Sequence, residues 1–428
     1  MQTFFSPAQL ADPHIASSES VIRKCVHCGF CTATCPTYVL LGDELDSPRG
    51  RISLIKDMLE NERQPTRNMV KHIDRCLSCL SCMTTCPSGV NYMHLIDHAR
   101  AYVEQRYERP WLDRLYRAVL AAVLPYPKRL RTAVAMAAFA RPFAPIFCGI
   151  AALRPLGAMI TLAPKSPPAP AIAAPAPDAT FKRRVVLMQG CADSALRPSL
   201  RQSAIRVLAK AGIGVVPAPG ENCCGALVHH LGRENEARAQ ARRNIDAWME
   251  CIERDGIEAI VVTASGCGTM LKDYGFLFQE DSVYVAKAAR IAGLSKDITE
   301  VLIPADIKPA QPRKMRVAYH SACSMQHGQK ITTKPAALLA AAGFIVVHPA
   351  DGHLCCGSAG TYNILQPEIA GQLRARKVAT LEATKPDVIA AGNLGCMTQI
   401  AQGTGTPVVH TLELLDWATG GPSPLSAP

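Results

Sequence analysis

The chain contains the same tight cysteine pattern twice. The first copy reads C-x2-C-x2-C-x3-C-P and runs from Cys25 to Pro36, and the second runs from Cys76 to Pro87. Structural zinc sites use separated C-x2-C pairs, whereas three closely spaced thiolates can bind three irons of one cubane. The pattern therefore predicts two [4Fe-4S] clusters and an electron-carrying function. A zinc ribbon is the alternative that the tripled spacing disfavours.

We expect the two runs to exchange their last ligands, because the cysteine before proline points away from its own loop. The first cluster would then be bound by Cys25, Cys28, Cys31 and Cys86. The second would be bound by Cys76, Cys79, Cys82 and Cys35.

Length and composition limit the classes of protein to which the chain can belong. With 428 residues, 48% hydrophobic and 19% charged, it should form two or three globular domains. The net charge of +11 is compatible with acidic partners or an anionic membrane surface. Nucleic acid is an unfavoured partner, because the basic residues are dispersed and only 5% of residues are aromatic.

The eighteen cysteines point to a reducing compartment rather than to disulfides. The N-terminus has no basic segment followed by an apolar one, so no secretory signal is predicted. No stretch of eighteen uncharged apolar residues occurs, so we expect no membrane span. The predicted location is the cytoplasm, peripheral on the inner face of the membrane.

Helices are predicted on both sides of the cysteine runs, which gives an α-helical ferredoxin domain over 1–110. Ser47 and Pro48 form a helix start, and Ile52, Ile55 and Met58 follow at helical spacing. A second helix follows the second run and carries Leu95, Ile96, Ala99, Tyr102 and Val103 on one face. It also carries His94 and His98, which we interpret as packing or surface residues.

Residues 111–163 form a basic, apolar and helical segment. Lys and Arg residues interrupt its apolar stretches, which is typical of a segment on a membrane surface. A helical hairpin that caps the ferredoxin domain or docks a partner subunit is the alternative. Cys148 is predicted to be a small buried apolar residue. Residues 164–180 are rich in proline and alanine and predict a linker.

The second half of the chain is an internal repeat, with modules predicted at 181–303 and 311–428. Thirty-two positions separate Cys191 from Cys223 and Cys323 from Cys355. Cys223 and Cys355 each begin a Cys-Cys-Gly motif. Apolar strands are predicted at 259–262 and 388–391, each followed by a Gly-Cys pair. Alternating strands and helices predict an α/β domain with a mostly parallel sheet in each copy. The predicted fold is thus α+β and multi-domain.

We expect each module to gather its cysteines into one metal site, because ligands collect at the carboxyl ends of parallel strands. A redox-active dithiol is the alternative. Four histidines lie near these cysteines in the sequence, His229, His230, His320 and His353, and a hydrogen-bonded structural role is the preferred interpretation for each. The predicted third site consists of Cys191, Cys223, Cys224 and Cys267, and the predicted fourth of Cys323, Cys355, Cys356 and Cys396.

The order of two ferredoxin motifs and two Cys-Cys-Gly modules resembles electron-transfer subunits of membrane-linked flavin dehydrogenases. Residues 25–38, 41–51 and 75–89 are similar specifically to the iron–sulfur subunits of glycolate oxidase. The resemblance implies a non-catalytic subunit that carries electrons from FAD-containing flavoprotein partners, which convert glycolate to glyoxylate, to a quinone. Equivalent subunits for lactate or glycerol-3-phosphate are the alternatives within the class.

The resemblance also extends to heterodisulfide reductase, whose modules end in C-x2-C and so supply a fifth thiolate. Here Met270 and Gln399 occupy the fifth positions. This difference disfavours a disulfide-reducing enzyme, and it predicts either a four-thiolate cubane or an open cluster in which a non-cysteine group completes one iron. A cysteine-rich zinc protein that binds nucleic acid is a further, different class.

Overall fold

A computed structural model of the chain describes residues 1–164, 181–310 and 314–425. The predicted linker falls outside the described residues except for its first position. Residues 311–313, at the start of the predicted second module, also lie outside them. Within the described ranges, helices flank both cysteine runs, and the second half contains two parallel sheets.

The N-terminal domain is entirely helical, as predicted. The helix after Ser47 begins at Pro48, and the Ser47 hydroxyl accepts a hydrogen bond from the Gly50 amide. Ile55 and Leu95 are fully buried in the core that these helices share. The helices are α1 (Pro7–Leu10), α2 (Pro13–Lys24), α3 (Phe30–Thr34), α4 (Pro36–Leu41), α5 (Pro48–Glu60), α6 (Arg67–Asp74), α7 (Ser81–Thr85) and α8 (Tyr92–Arg106), with a 3-10 turn at Glu44–Asp46.

Four helices follow and connect the N-terminal domain with both modules. Arg117 pairs with Asp74 of the first domain at 2.9 Å, while Leu120 lies in the core of the first module. Farther along, α10 contacts the first module and α12 contacts the second. These helices are α9 (Trp111–Val123), α10 (Pro127–Ala140), α11 (Ala144–Gly149) and α12 (Arg154–Leu162), with 3-10 turns at Arg141–Phe143 and Ala151–Leu153.

One prediction about this segment is wrong. Cys148 is exposed, so its predicted burial is wrong; α11 is a short surface helix with only Ala144 buried. In the described part of the chain, one helical run, Pro127–Gly149, is long and apolar enough to cross a membrane by length and composition alone. Only 11% of its most apolar window is buried, and a 3-10 turn at Arg141 interrupts it. A helix that lies on a surface can have the same length and apolar composition.

The first module is a four-stranded parallel sheet with strand order β2-β1-β3-β4. Its central strand covers the predicted positions Ala259–Val262, which are all buried. The strands are β1 (Arg183–Leu187), β2 (Ile213–Val216), β3 (Ala259–Val262) and β4 (Ser295–Asp297). The helices are α13 (Cys191–Leu196), α14 (Ser199–Lys210), α15 (Ala226–His229), α16 (Glu234–Asp255), α17 (Ser265–Lys272), α18 (Tyr274–Leu277), α19 (Val285–Leu294) and α20 (Ile298–Val301).

The second module repeats this sheet in the order β6-β5-β7-β8, and a 3-10 turn at Pro304–Asp306 precedes it. Here a π-helix, Ser324–Gly328, stands after the first strand, where the first module has α13. The strands are β5 (Arg316–His320), β6 (Ile345–Val347), β7 (Val388–Ala391) and β8 (Val408–His410). The helices are α21 (Lys334–Ala341), α22 (Tyr362–Leu365), α23 (Pro367–Glu382), α24 (Leu394–Ala401) and α25 (Thr411–Ala418).

The two modules pack against each other through both apolar and polar contacts. One apolar core is continuous between them, and α14 packs on α25 within it. Near the carboxyl ends of the strands, the Ser265 hydroxyl lies 2.7 Å from that of Ser324 and accepts from the Asn393 amide at 3.1 Å. This arrangement places the cysteine-bearing loops of both modules on the same side of the sheets.

Candidate metal centres

The first cysteine run and the end of the second line one cavity. Cys25, Cys28, Cys31 and Cys86 all border it, together with Cys82. Cys25 is buried, whereas Cys28 is exposed, so one edge of this cavity faces solvent. The structure thus brings the first three thiols together with the one before Pro87, which is the combination that ligand exchange predicts.

The complementary set of thiols lines a second cavity, formed by Cys35, Cys76, Cys79 and Cys82. The short helices α3 and α7 pack against each other, and Thr85 donates to Thr34 at 3.1 Å between them. Because each helix ends at the cysteine before proline, their contact directs Cys35 and Cys86 into opposite cavities. Burial raises the pKa of the Cys79 and Cys82 thiols well above the ordinary value.

A buried ionic network borders the second cavity, and sequence reasoning missed it. Asp46 is fully buried, and its carboxylate pairs with Arg51 at 3.3 Å, His72 at 2.9 Å and Arg75 at 2.7 Å. A guanidinium nitrogen of Arg51 lies 3.9 Å from the Cys35 sulfur. A buried cation beside a ligand thiolate is one of the means by which proteins tune cluster potential. The signal in the sequence was Arg51 on the buried face of a helix between two cysteine runs.

The four cysteines predicted for the first module are adjacent in the structure. Cys191 adjoins Cys223, Cys223 adjoins Cys224, and Cys224 adjoins Cys267. The neighbouring thiols of Cys191 and Cys224 lower the pKa of Cys223. Cys191 and Cys267 follow β1 and β3 respectively, so the predicted placement at strand ends is confirmed.

The second module repeats the arrangement with equivalent residues. Cys323 adjoins Cys355, Cys355 adjoins Cys356, and Cys356 adjoins Cys396. All four of these residues are buried. An identical order of contacts in two copies supports a site that needs four sulfur donors.

The glycine of each Cys-Cys-Gly motif has a specific structural role. Gly225 and Gly357 have φ values of 89° and 90°, the left-handed region that favours glycine. A Cβ atom at these positions would lie 3.0 Å from the Ala237 carbonyl oxygen and 2.6 Å from that of Ala370. The glycine therefore lets a long helix approach the loop that carries two adjacent thiols.

His320 differs from the structural role preferred for the four histidines. It is fully buried at the end of β5, and within the described residues neither ring nitrogen has a hydrogen-bond partner. Its ring, Cys356 and Cys396 each offer a ligand atom, and these atoms lie within 4.8 Å of one another. Burial lowers the pKa of His320 to about 3, so the ring is neutral at pH 7. The hydrogen-bonded interpretation is wrong for this residue.

The histidines of the N-terminal domain occupy packing positions, as predicted. His94 stacks on Phe276 of the first module and lies 2.8 Å from the Asp273 carboxylate. His98 is hydrogen-bonded to Ser18 at 2.6 Å. Neither residue lines the two cysteine-lined cavities, although His27 borders the first of them.

The second cavity adjoins the second module. Leu77, Cys323, Cys355 and Tyr362 form one apolar cluster, and Cys79 packs against it. The Cys323 thiol is close enough to contribute to the raised pKa of Cys79. Thr84 of α7 is also hydrogen-bonded to His327 of the second module at 2.8 Å. A ferredoxin cavity and a module site are therefore neighbours within this chain.

The donors present fit iron–sulfur clusters. All eighteen cysteines are free thiols, and sixteen of them stand in four groups of four at the ends of short loops. Thiolates are the usual ligands of [4Fe-4S] clusters. The fold and these groups define an iron–sulfur electron-transfer subunit, with a helical dicluster domain followed by two cysteine-rich α/β modules.

Comparison with known proteins places this subunit in a family. Residues 21–90 match the "4Fe-4S dicluster domain", and residues 185–272 and 317–401 match the "Cysteine-rich domain". The chain is 41% identical to the glycolate oxidase iron–sulfur subunit of Escherichia coli, over 98% of this chain and 99% of that protein. It therefore belongs to the family of glycolate oxidase iron–sulfur subunits.

Two further similarities are more distant. Lactate utilization protein A of an Exiguobacterium species is 29% identical, over 54% of this chain and 96% of its own length. The crystal structure of a hypothetical protein from Helicobacter pylori superposes with a TM-score of 0.56 at 12% identity, covering 96% of this chain and 73% of that one. The second similarity supports the fold alone.

Proposed function

We propose that the chain carries electrons from a flavoprotein partner that oxidises glycolate to glyoxylate, and delivers them to a membrane quinone. The observation that carries the proposal is the adjacency of Cys79 to Cys323 and Cys355, which, with Cys82 lining both ferredoxin cavities, gives a series of three adjoining thiol sites. The similarity to a glycolate oxidase subunit extends over almost the whole chain and supports the substrate. FAD would reside on the partner, since cofactors carry the hydride chemistry.

The proposed ligands follow the two cavities. Cys25, Cys28, Cys31 and Cys86 would hold one [4Fe-4S] cluster, and Cys76, Cys79, Cys82 and Cys35 the other. When bound, these clusters accept and release single electrons. The protein excludes water from the second cavity and holds Arg51 against Cys35. The first cavity, with Cys28 at the surface, is the better placed for exchange with a partner protein.

We extend the proposal to the two modules, with one iron–sulfur cluster in each. The first would be held by Cys191, Cys223, Cys224 and Cys267. The second would be held by Cys323, Cys355, Cys356 and Cys396. A disulfide-reducing activity is not favoured, because the positions of a fifth thiolate are occupied by Met270 and Gln399, which are both buried.

Capture of the tagged full chain under anaerobic conditions, with its partner, tests the substrate. We expect the captured complex to contain FAD, and added glycolate to bleach the cluster absorbance while lactate and glycerol-3-phosphate do not. Bleaching by lactate alone would favour the second candidate function, which the similarity to lactate utilization protein A supports. A complex without flavin, or one that none of the three substrates reduces, would contradict the proposal.

We also propose that the complex binds the inner face of the membrane through an apolar strip on α10, α11 and the adjoining turns. The most exposed residue of the strip is Phe139, at 86%. Basic residues near an anionic surface contribute about 1 kcal/mol each, and Lys128 and Arg129 flank the strip. The strip consists of Met136, Phe139, Phe143, Ile146 and Ile150.

Flotation of the complex with phosphatidylglycerol vesicles tests this location. We expect co-flotation at low salt, weaker binding at high salt, and loss of binding in a Phe139→Ser, Phe143→Ser double variant. A Val283→Ser variant, which changes an exposed apolar residue on another face, serves as the control. A complex that stays in the soluble fraction at low salt would indicate that the strip contacts a protein subunit instead.

A further inference from the structure

The His320 imidazole is buried without any hydrogen-bond partner in the described part of the chain. Both of its ring nitrogens are shielded from solvent. Leaving a buried polar group unpaired costs about 1–3 kcal/mol, so native structures rarely do so without a reason. The side chain therefore requires a partner other than the protein atoms around it.

Other buried histidines of the second module have such partners. His327 contacts the Thr84 hydroxyl through Nδ1 at 2.8 Å and the His353 carbonyl through Nε2 at 3.1 Å. His410 accepts from the Leu412 amide and also contacts the Thr263 carbonyl. His320 instead lies beside the sulfurs of Cys356 and Cys396, in a group whose ligand atoms are all within 4.8 Å of one another. Neutral imidazole and thiolates together are ordinary ligands of iron and zinc.

The residue that replaces the fifth thiolate is not available as a ligand. The Gln399 amide donates to the Ala370 carbonyl at 3.0 Å, and its oxygen accepts from Asn363 at 3.1 Å. Both polar atoms of the Gln399 side chain are therefore engaged in hydrogen bonds with the surrounding helices. His320, by contrast, offers two ring nitrogens that are unpaired among the described residues, and its ring lies beside the Cys356 and Cys396 sulfurs.

The first module has no histidine at the position that corresponds to His320. Met188 stands three residues before Cys191, as His320 stands three residues before Cys323, and it is buried in the same core as the thiols. A thioether has no unpaired hydrogen-bonding group to satisfy, and its sulfur is only a weak acceptor. The two modules thus offer different donor sets on the same scaffold.

From this geometry we infer that the imidazole of His320 is a ligand to iron in the second module, in addition to its four cysteines. The inference rests on the proposed function, in which these thiols hold an iron–sulfur cluster. The imidazole is a neutral ligand, so it would add a donor to this site without the negative charge that a fifth thiolate would bring. The two modules then differ in ligand number while keeping the same four cysteines.

Pulsed electron paramagnetic resonance on the full chain, with ¹⁵N-labelled histidine, tests the inference. His27 also lines the first ferredoxin cavity, so the variants of His320, and not the coupling alone, assign the nitrogen to the second module. We expect a strong ¹⁵N coupling in the wild type and its loss in His320→Met, which installs the residue of the first module. His320→Cys should also abolish the coupling, while keeping the iron content at the wild-type value.

The matched control is His327→Met, a buried histidine of the same module whose nitrogens are both engaged elsewhere. Its coupling should equal that of the wild type. Retention of the coupling in His320→Met would overturn the inference, as would its absence in a wild-type chain whose iron content exceeds the ferredoxin clusters. A wild-type chain with about eight irons would instead overturn the proposed clusters of the modules.

Discussion

The two modules share a scaffold but differ in the groups around their thiols. Both have parallel sheets of the same strand order, the same thirty-two-position spacing and the same order of thiol contacts. Met188 in the first module corresponds to His320 in the second. Asn244 corresponds to Lys377, since both lie seven residues after the alanine that packs on the motif glycine. A duplicated fold can thus keep a metal site while changing its charge.

The environments of the modules differ as well. The second module shares an apolar cluster with Leu77 and Cys79 of the dicluster domain. The first module meets that domain through polar and stacking contacts, such as His94 with Asp273 and Phe276. Of the two modules, the second is therefore the one whose thiols adjoin a ferredoxin cavity.

Paired cysteine variants test this difference and should have the largest effect. We expect Cys191→Ser, Cys223→Ser and Cys323→Ser, Cys355→Ser each to lose about four irons per chain. Only the variant of the second module should change the electron paramagnetic resonance signal of the adjacent ferredoxin cluster, because only its thiols adjoin Cys79. Equal changes from both variants would contradict the proposed order of the sites.

Removing a positive charge near the thiols of the second module should change the reduction potential of its site, an effect of intermediate size. The Lys377 side chain is buried, donates to the Asp351 carbonyl at 2.8 Å and lies near Cys323, Cys355 and Cys356. Replacing it with methionine removes a cation, so the reduction potential of this site should fall by about 30–100 mV. Arg376→Met, on the exposed side of the same helix, is the control and should leave the potential unchanged. Redox titration followed by spectroscopy measures both.

Much of this architecture can be predicted from the sequence. The strand β3 and its counterpart β7 occupy the predicted positions, because short apolar runs between helices leave few alternatives. The cysteine groups follow from spacing, since parallel strands bring their carboxyl ends together. The edge strand β4 could not be predicted, because its residues Ser-Lys-Asp form no apolar run.

The details around each site depend on contacts between distant residues and could not be predicted. The Arg51–Asp46 pair requires the packing of α5 on the turn at Glu44–Asp46. The lack of a hydrogen-bond partner for His320 among the described residues can be recognised only when the partners of every neighbouring group are known. The exposure of Cys148 depends on how α11 lies on the surface rather than on its apolar composition.

Substitutions of Met270 and Gln399, the residues in the fifth positions, should have the smallest effects. We expect the free energy of unfolding to fall by different amounts in the two modules. Gln399→Leu leaves Asn363 and the Ala370 carbonyl without a partner, so we expect a loss of about 1–3 kcal/mol in the free energy of unfolding. Met270→Leu conserves volume in an apolar core and should cost less than about 1.5 kcal/mol. Anaerobic urea denaturation measures both, and a smaller loss for Gln399→Leu than for Met270→Leu would contradict the assigned hydrogen bonds.

Iron quantification on the anaerobically purified full chain tests the central claim most directly. If all four thiol groups hold iron–sulfur clusters, we expect a clear excess over about eight irons per chain, approaching sixteen with four cubanes. This excess should disappear in a Cys223→Ser, Cys355→Ser double variant that retains about eight irons, those of the dicluster domain. A wild-type chain that reproducibly contains about eight irons, with no change in the double variant, would contradict the account.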